Sequence, residues 1–394
     1  MKNVSYCNHP SLKNKMKIIY CIHSIYNPGG MERVLLNKVE YLVSRYGWDV
    51  TIVTTNQGSR PPFYPFPKVV KMVDLGVNYS AGDDEGVLKK IYTYFQKRRL
   101  HKKRLTQLFK QEQADVVVSL FPSESSFIPE IKDGSKKVLE LHFNKFFRLQ
   151  YNRRGIIGLL DRFRTWQDEH LVRRFDKFVV LTEEDREYWG KLPNIEVISN
   201  ATKVNDLAKS NVETKRVIAV GRLDYQKGFD RLIKAWKIVM KDCDLRDWRL
   251  DIYGQGEWKQ MLEDMIQEAG LSQNTFINAP VKNIGDKYAD SAFLVMSSHY
   301  EGLPMVMIEA MTYGLPVVSF DFKCGPKDII QSNENGLLVR EGDIEGLASA
   351  MKQVMQDKQY RKRLSVSALK ITEKFAEDKI MHRWHNLFMT LKNS

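Results

Sequence analysis

The segment SHYEGLPMVMIEAM, from Ser298 to Met311, sets two carboxylates, Glu301 and Glu309, eight positions apart in an otherwise largely apolar stretch. Glu301 follows AFLVMSS, which reads as a strand, and so lies in the loop at that strand's end. Glu309 falls on a helix expected to begin near Pro304, since proline suits a first helical turn. A carboxylate inside MVMIEAM has no use as a packing residue, and a ribose offers the hydroxyl pair from which it could accept. Glu301 can reach sugar hydroxyls, and the N–H groups of Gly302, Leu303 and Met305 can point toward donor oxygens at the start of the helix. The chemistry this pattern suits is the holding of an anionic sugar nucleotide.

Three other strand ends carry residues of the same kind. In Gly221-Arg222-Leu223-Asp224-Tyr225-Gln226-Lys227-Gly228, Arg222 and Lys227 can converge on one diphosphate and offset the charge of a departing nucleoside diphosphate, work that a divalent metal does elsewhere. Cations in a loop that are only solvated are the competing reading. In Pro28-Gly29-Gly30-Met31-Glu32 two glycines allow the backbone to approach a phosphate or a sugar, although an ordinary tight turn has the same composition. His142, in LELHFN, stands at the end of a strand and is either functional or a satisfied structural histidine.

Metal chemistry finds little support in the sequence. Asp242-Cys243-Asp244 has a DxD form but lies in a charged connection, and Asp83-Asp84-Glu85 lies in a glycine-flanked loop without further ligands. No metal and no cofactor is therefore expected, the nucleotide-sugar being a co-substrate. Motifs for a serine hydrolase, a zinc protease, a P-loop or a dinucleotide fingerprint are absent.

The elements that must position these residues read as alternating short apolar runs and helices, which is the signature of parallel sheets covered on both faces. MKIIYCIHSIY, WDVTIVTTN, ADVVVSLF, KKVLELHF and DKFVVL are strands of a first domain, the last followed by a helix capped at Thr182. RVIAVGR, RLDIYGQG, NTFINAP, AFLVMSS, LPVVSFD and NGLLV are strands of a second. The polar line from Pro193 to Lys215 holds the boundary. The expected division is a leader over 1–15, an acceptor-binding Rossmann-like domain over 16–203, a nucleotide-sugar-binding Rossmann-like domain over 204–375, and a last helix over 376–394. Ile380, Trp384, Leu387, Phe388 and Leu391 form an apolar stripe on that helix beyond what a finished domain would need.

With 394 residues, 43% of them apolar, the chain is long enough for two such cores. The formal net charge of +13 is uneven, because residues 1–200 hold 33 Lys and Arg against 22 Asp and Glu. A basic half must meet something anionic. KRRLHKKR, from Lys97 to Arg104, lacks interleaved stacking aromatics and any nucleic-acid motif, so no nucleic acid is expected. Phe146, Phe147 and the apolar residues from Ile156 to Trp166 stand among arginines and suit an acidic membrane surface. No run reaches the roughly 18 apolar residues of a membrane span. Four scattered cysteines without CxxC spacing read as reduced thiols. A cytoplasmic protein, peripheral on the inner face of the membrane, is expected.

These motifs together resemble those of retaining glycosyltransferase family 4. EGLPMVMIE and GRLDYQKG carry the likeness most specifically, with NPGGMERV, LTEEDREYW and GPKDII in support, over about residues 16–392. The resemblance implies a GT-B fold, two facing doubly wound α/β domains with the last helix crossing back to the first. It implies Arg222 and Lys227 on the donor diphosphate, Glu309 on the ribose, Glu301 on the transferred sugar, Gly29 or Gly30 beside the phosphates, and His142 facing the sugar. The activity implied is metal-independent transfer of a hexosyl or N-acetylhexosaminyl unit, with retention, from a UDP-sugar to a growing glycan, the acceptor being a lipid-linked bacterial polysaccharide or oligosaccharide intermediate. A nucleotide-sugar epimerase of the same fold and a silent nucleotide-sugar-binding protein are the alternatives.

Overall fold

The computed structural model describes residues 15–27, 29–79, 87–120, 124–149, 155–203 and 209–394. The leader with Cys7, Pro28, the Asp83-Asp84-Glu85 group, residues 150–154 and the first positions of the expected second domain, 204–208, lie outside the described residues.

In the first half of the chain the elements are β1 (Lys17–Ile22), α1 (Gly30–Tyr46), β2 (Asp49–Thr54), β3 (Lys71–Asp74), α2 (Val87–Glu112), β4 (Val116–Ser119), β5 (Lys136–Glu140), α3 (Gly155–Leu171), β6 (Lys177–Val180), α4 (Glu183–Trp189) and β7 (Ile195–Val197). The second half continues with β8 (Arg216–Val220), α5 (Phe229–Val239), β9 (Arg249–Tyr253), α6 (Lys259–Glu268), β10 (Thr275–Asn278), α7 (Gly285–Ala289), β11 (Phe293–Met296), α8 (Met305–Thr312), β12 (Val317–Asp321), α9 (Pro326–Ile329) and β13 (Gly336–Arg340). Four helices close it: α10 (Ile344–Gln356), α11 (Lys358–Ala368), α12 (Ile371–Lys374) and α13 (Glu377–Lys392).

Among the described residues the strands form two sheets, ordered β3-β2-β1-β4-β5-β6-β7 and β10-β9-β8-β11-β12-β13. Strand β1 runs parallel to β2 and β4, and β8 runs parallel to β9 and β11. These central strands are buried on both faces: Ile18, Ile19, Tyr20 and Cys21 in β1, and Val217, Ile218 and Ala219 in β8. Burial on both faces is why they read as continuous apolar runs and not as alternating ones. The result is two parallel-sheet, Rossmann-like α/β domains. In each, the strand order reverses beside the first strand, and ligands of such sheets gather at the carboxyl ends of the strands flanking that reversal.

Strands β3 and β7 have no counterpart in the sequence reading. KMVD is largely exposed at the sheet's edge, and IEV is three residues inside a polar line, so neither shows an apolar run.

By contacts the chain gathers into two compact units, the first of Met1–Glu140, Leu171–Phe178 and Trp384–Ser394, the second of Leu141–His170 and Val179–Arg383. In the first unit Lys38 of α1 and Glu140 of β5 form a buried ion pair at 2.5 Å. The Lys38 ammonium also lies 3.7 Å from the ring centre of Trp384, so a cation–π contact joins α13 to α1. Phe388 lies tilted against Trp384 and edge-on to Trp48, and all the stripe residues from Trp384 to Leu391 are buried. In the second unit the buried Arg361 donates to the carbonyls of Val212 and Val354, each at 2.6 Å, which fastens the segment before β8 onto α11.

Removing one partner of a buried pair strands the other charge without solvent. Lys38→Met is therefore expected to lower the unfolding free energy by about 3 to 5 kcal/mol. The double variant Lys38→Met/Glu140→Leu should recover much of that loss in urea unfolding, and equal stability of the single variant and the wild type would refute the assignment.

Candidate active site

Strands β8 and β11 are neighbours, with Phe293 opposite Val217 and Leu294 opposite Ile218. Their adjacency sets the loop after β8, which contains Arg222 and Lys227, beside the loop after β11, which contains Glu301. The first loop closes as a 3-10 turn over Tyr225–Lys227, with the Asp224 side chain accepting from the Lys227 N–H. Gly228 follows at φ 60°, and a Cβ there would meet the Ser297 carbonyl at 2.3 Å, so only glycine lets the two loops approach so closely.

At the meeting point the Lys227 ammonium lies 2.6 Å from Glu301 Oε1, both side chains being largely buried. Ser298 Oγ donates to the same oxygen at 2.8 Å, and Gln226 Nε2 donates to Glu301 Oε2 at 3.2 Å. Arg222 donates to Gln226 Oε1 at 2.8 Å and lies 3.3 Å from Asp224, its side chain about 70% exposed. Lys227, Glu301, Gln226 and Arg222 thus form one chain of contacts, with one cation inside and one turned to solvent. Beside it His299 stacks on Tyr225 with ring centres 4.2 Å apart. Burial, aided by the Arg231 charge, pushes the His299 imidazole down to about 4, so it is neutral at neutral pH.

The segment after β5 reaches the same place. Asn144 Nδ2 donates to the Glu301 carbonyl at 2.8 Å, and a Cβ on Gly302 would lie 2.2 Å from the His142 carbonyl, so the backbones at 142 and 302 are in contact. Half-buried His142 is brought to Glu301 and Gly302 as a neighbour. The Lys145 N–H donates to Asp185 Oδ1 at 2.8 Å, and Trp189 Nε1 donates to Oδ2 at 3.3 Å. Cys324 Sγ lies 3.8 Å from that carboxylate, and its N–H donates to Glu184 at 2.9 Å. Burial pushes Asp185 up to about 6 and raises the Cys324 thiol strongly.

Other expected residues are placed as follows. Helix α8 begins at Met305 with Pro304 as its cap, one position later than a proline in the first turn requires. The Met305 N–H donates to the Leu303 carbonyl at 2.9 Å and so is engaged within its own turn. Glu309 is half-buried on α8 between the buried Ile308 and Ala310. In the first unit, Gly29 caps α1, and a Cβ there would meet the Glu32 carboxylate at 2.0 Å, whereas one on Gly30 would meet nothing within 4 Å. A carboxylate thus already lies against the backbone at Gly29. Asp242 caps a turn and pairs with Lys352 at 3.7 Å, which gives the DxD segment a structural use. Sequence reasoning missed Gln226, Ser298, Asn144 and Asp185. Gln226 sits inside the quoted GRLDYQKG, but nothing in the spacing says that it bridges Arg222 to Glu301.

Residues 203–370 match the family described as Glycosyl transferases group 1, and residues 28–205 match Glycosyltransferase Family 4. Together the matches run from 28 to 370, and the chain belongs to the GT-B glycosyltransferases of group 1. It is similar to an amylovoran biosynthesis glycosyltransferase of Erwinia amylovora, 29% identical over 389 residues, covering 94% of this chain and 99% of that one. It is also similar, at 26% identity over 391 residues and 96% and 100% coverage, to the Campylobacter jejuni GalNAc-alpha-(1->4)-GalNAc-alpha-(1->3)-diNAcBac-PP-undecaprenol alpha-1,4-N-acetyl-D-galactosaminyltransferase. Among solved structures, a variant of Staphylococcus aureus TarM in complex with fondaparinux, alpha-GlcNAc-glycerol and UDP shares the fold with a TM-score of 0.72 and 18% identity, over 95% of this chain and 99% of that one.

The Asp185 carboxyl gives a prediction with a definite sign. Its folded value of about 6 lies above the ordinary 3.9, so the native state keeps the proton to higher pH than the unfolded chain does. Its contribution to stability is present below about pH 4 and is lost as pH rises through about 6, by roughly 2 to 3 kcal/mol. Asp185→Asn should remove that fall. Unfolding free energies measured at pH 4 and 7 for both proteins check it, and parallel pH curves would contradict it.

Proposed function

We propose that this glycosyltransferase moves a hexosyl or N-acetylhexosaminyl unit from a UDP-sugar to a growing glycan with retention of anomeric configuration and without a metal ion. The observation that carries the reading is the contact chain Arg222–Gln226–Glu301–Lys227 at the strand reversal of the second sheet. Two cations on one loop suit a diphosphate, and the buried carboxylate between them suits sugar hydroxyls. Glu301 accepts from the Lys227 ammonium and from Ser298 Oγ on the same oxygen; a diphosphate would compete for the ammonium.

In this reading Arg222 and Lys227 hold the diphosphate, Glu309 takes the ribose, and Glu301 takes the transferred sugar. His142 contacts that sugar, the backbone at Gly302, Leu303, Pro304 and Met305 lies along the donor, and Gly29 and Gly30 offer backbone to donor oxygens. The glycosidic carbon–phosphate oxygen bond breaks and a bond to the acceptor oxygen forms on the same face. The acceptor's hydroxyl proton passes to the departing phosphate oxygen, so no carboxylate nucleophile is needed. Residues 204–375 would bind the donor and 16–203 the acceptor, a division supported by the two family matches meeting at 203–205.

The acceptor in this reading is a lipid-linked bacterial glycan intermediate, which the undecaprenol in the name of the Campylobacter relative supports. UDP is the nucleotide in the TarM complex and is the first to test. A peripheral position on the cytoplasmic face of the membrane, against anionic lipid, belongs to the same proposal. Among the described residues no helix is long and apolar enough to cross a membrane.

Turnover should persist in excess EDTA; activity that is abolished and returns only with Mg²⁺ or Mn²⁺ would overturn metal independence. Lys227→Ala and Arg222→Ala should each lower kcat on the order of 100-fold or more, because the charge they offset grows as the phosphate departs. Glu309→Gln should act mainly on donor affinity. UDP at 100 times its dissociation constant should stabilise the protein by about 2.7 kcal/mol in a thermal-shift screen, with GDP and ADP as controls. Near-normal rates and affinities in all three variants would mean that the site lies elsewhere.

A further inference from the structure

Helix α3 is amphipathic in the reverse sense. Asp161 and Thr165 are buried, while Ile156, Ile157, Leu159, Leu160, Phe163 and Trp166 are exposed, Ile156 at 77% and Trp166 at 53%. What fastens the helix to the second unit is polar: Asp168 pairs with Arg148, and Glu169 pairs with Lys145 at 2.6 Å. Phe163 and Trp166 stack on each other at 5.7 Å on the outward side. A soluble surface helix turns such a stripe inward, so these six side chains have a use outside the fold.

With about 100° per residue, the outward residues other than Ile157 span one sector, and Arg164 and Arg162 fall roughly 40° beyond its two borders, at Leu160 and Trp166. Both arginines are exposed. An apolar sector edged by guanidinium groups matches the acyl boundary of a bilayer with phosphate headgroups on either side of the helix. A second copy of the chain would instead bring like charges to one rim.

We propose that α3 is the membrane-docking element of this protein, lying in the plane of an anionic lipid surface with Ile156, Leu160, Phe163 and Trp166 turned into it. The proposal rests on the reading that the acceptor is lipid-linked, and it links the surface to the site. Lys145, which pairs with Glu169 of α3, follows Asn144, whose side chain donates to the carbonyl of Glu301. The lipid surface and the donor site are thereby two contacts apart.

Flotation of the full-length protein with vesicles of phosphatidylcholine, alone or with about 30% phosphatidylglycerol, tests this. The wild type should float with the anionic vesicles, and Ile156→Ser/Leu160→Ser/Trp166→Ser should lower the bound fraction by about tenfold or more. Arg162→Gln/Arg164→Gln should weaken binding at low salt and leave a part that survives as screening shortens from about 10 Å to about 3 Å. All five side chains are exposed, so thermal stability and the UDP-induced shift should match the wild type in both variants. Wild type that stays at the bottom of the gradient, or a triple variant that floats as well as the wild type, would overturn the proposal. So would a wild-type dimer that the triple variant makes monomeric, since the occupant would then be a second copy. Loss of the UDP shift in the wild type would sink the functional reading and leave the docking result to stand or fall by itself.

Discussion

The pairing of β8 with β11 is the constraint on which the site depends. Parallel neighbours put their carboxyl ends at one edge, and here the strand order reverses between them, which is where ligands of such sheets gather. Lys227 and Glu301, 74 residues apart in sequence, meet there because their loops are short and start from adjacent strands. Gly228 and Gly302 then remove the two Cβ atoms that would hold backbone segments apart. The ion pair is a consequence of that register. Side chains as long as lysine and glutamate lose considerable rotamer freedom when fixed, and the loss is offset because Ser298 and Gln226 hold the Glu301 carboxylate while Asp224 holds the backbone N–H of Lys227.

Both units contain carboxylates buried where apolar side chains would cost less. Glu140 is compensated by Lys38, and the Lys38 charge is further shared with the face of Trp384. Asp185 is held differently: it accepts from the Lys145 N–H and Trp189 Nε1, and burial keeps its proton tight. The first arrangement ties a chain terminus to a sheet. The second positions the segment next to Asn144 and Glu301, so its cost falls on the element that the site needs held still.

The architecture was largely legible because central parallel strands are buried on both faces. RVIAV and FLVM cannot be anything soluble and exposed, and the helices between them carry a clear apolar period. Glu301 and Glu309 were legible for the opposite reason, as charges where the pattern asks for apolar residues. Gln226, Asn144 and Asp185 were not, since each acts through contacts to residues far along the chain, and their types are ordinary for loops and helix starts. Strands β3 and β7 escaped because an exposed edge and a three-residue pairing leave no pattern to read.

Helix α3 marks where periodicity stops informing. A stripe of Ile, Leu, Phe and Trp at helical spacing states that one face is apolar and nothing about which way it turns. In α5 the corresponding stripe, with Phe229, Leu232, Ile233 and Trp236, is buried against the sheet. In α3 the ion pairs of Asp168 and Glu169 with Arg148 and Lys145 claim the inner face first, and Thr165 and Asp161 complete it. The apolar face is left outward by that competition, not by weak packing. A helix held by its polar side can be anchored firmly while its apolar side stays free to meet a second phase, which an inward-facing stripe could not do.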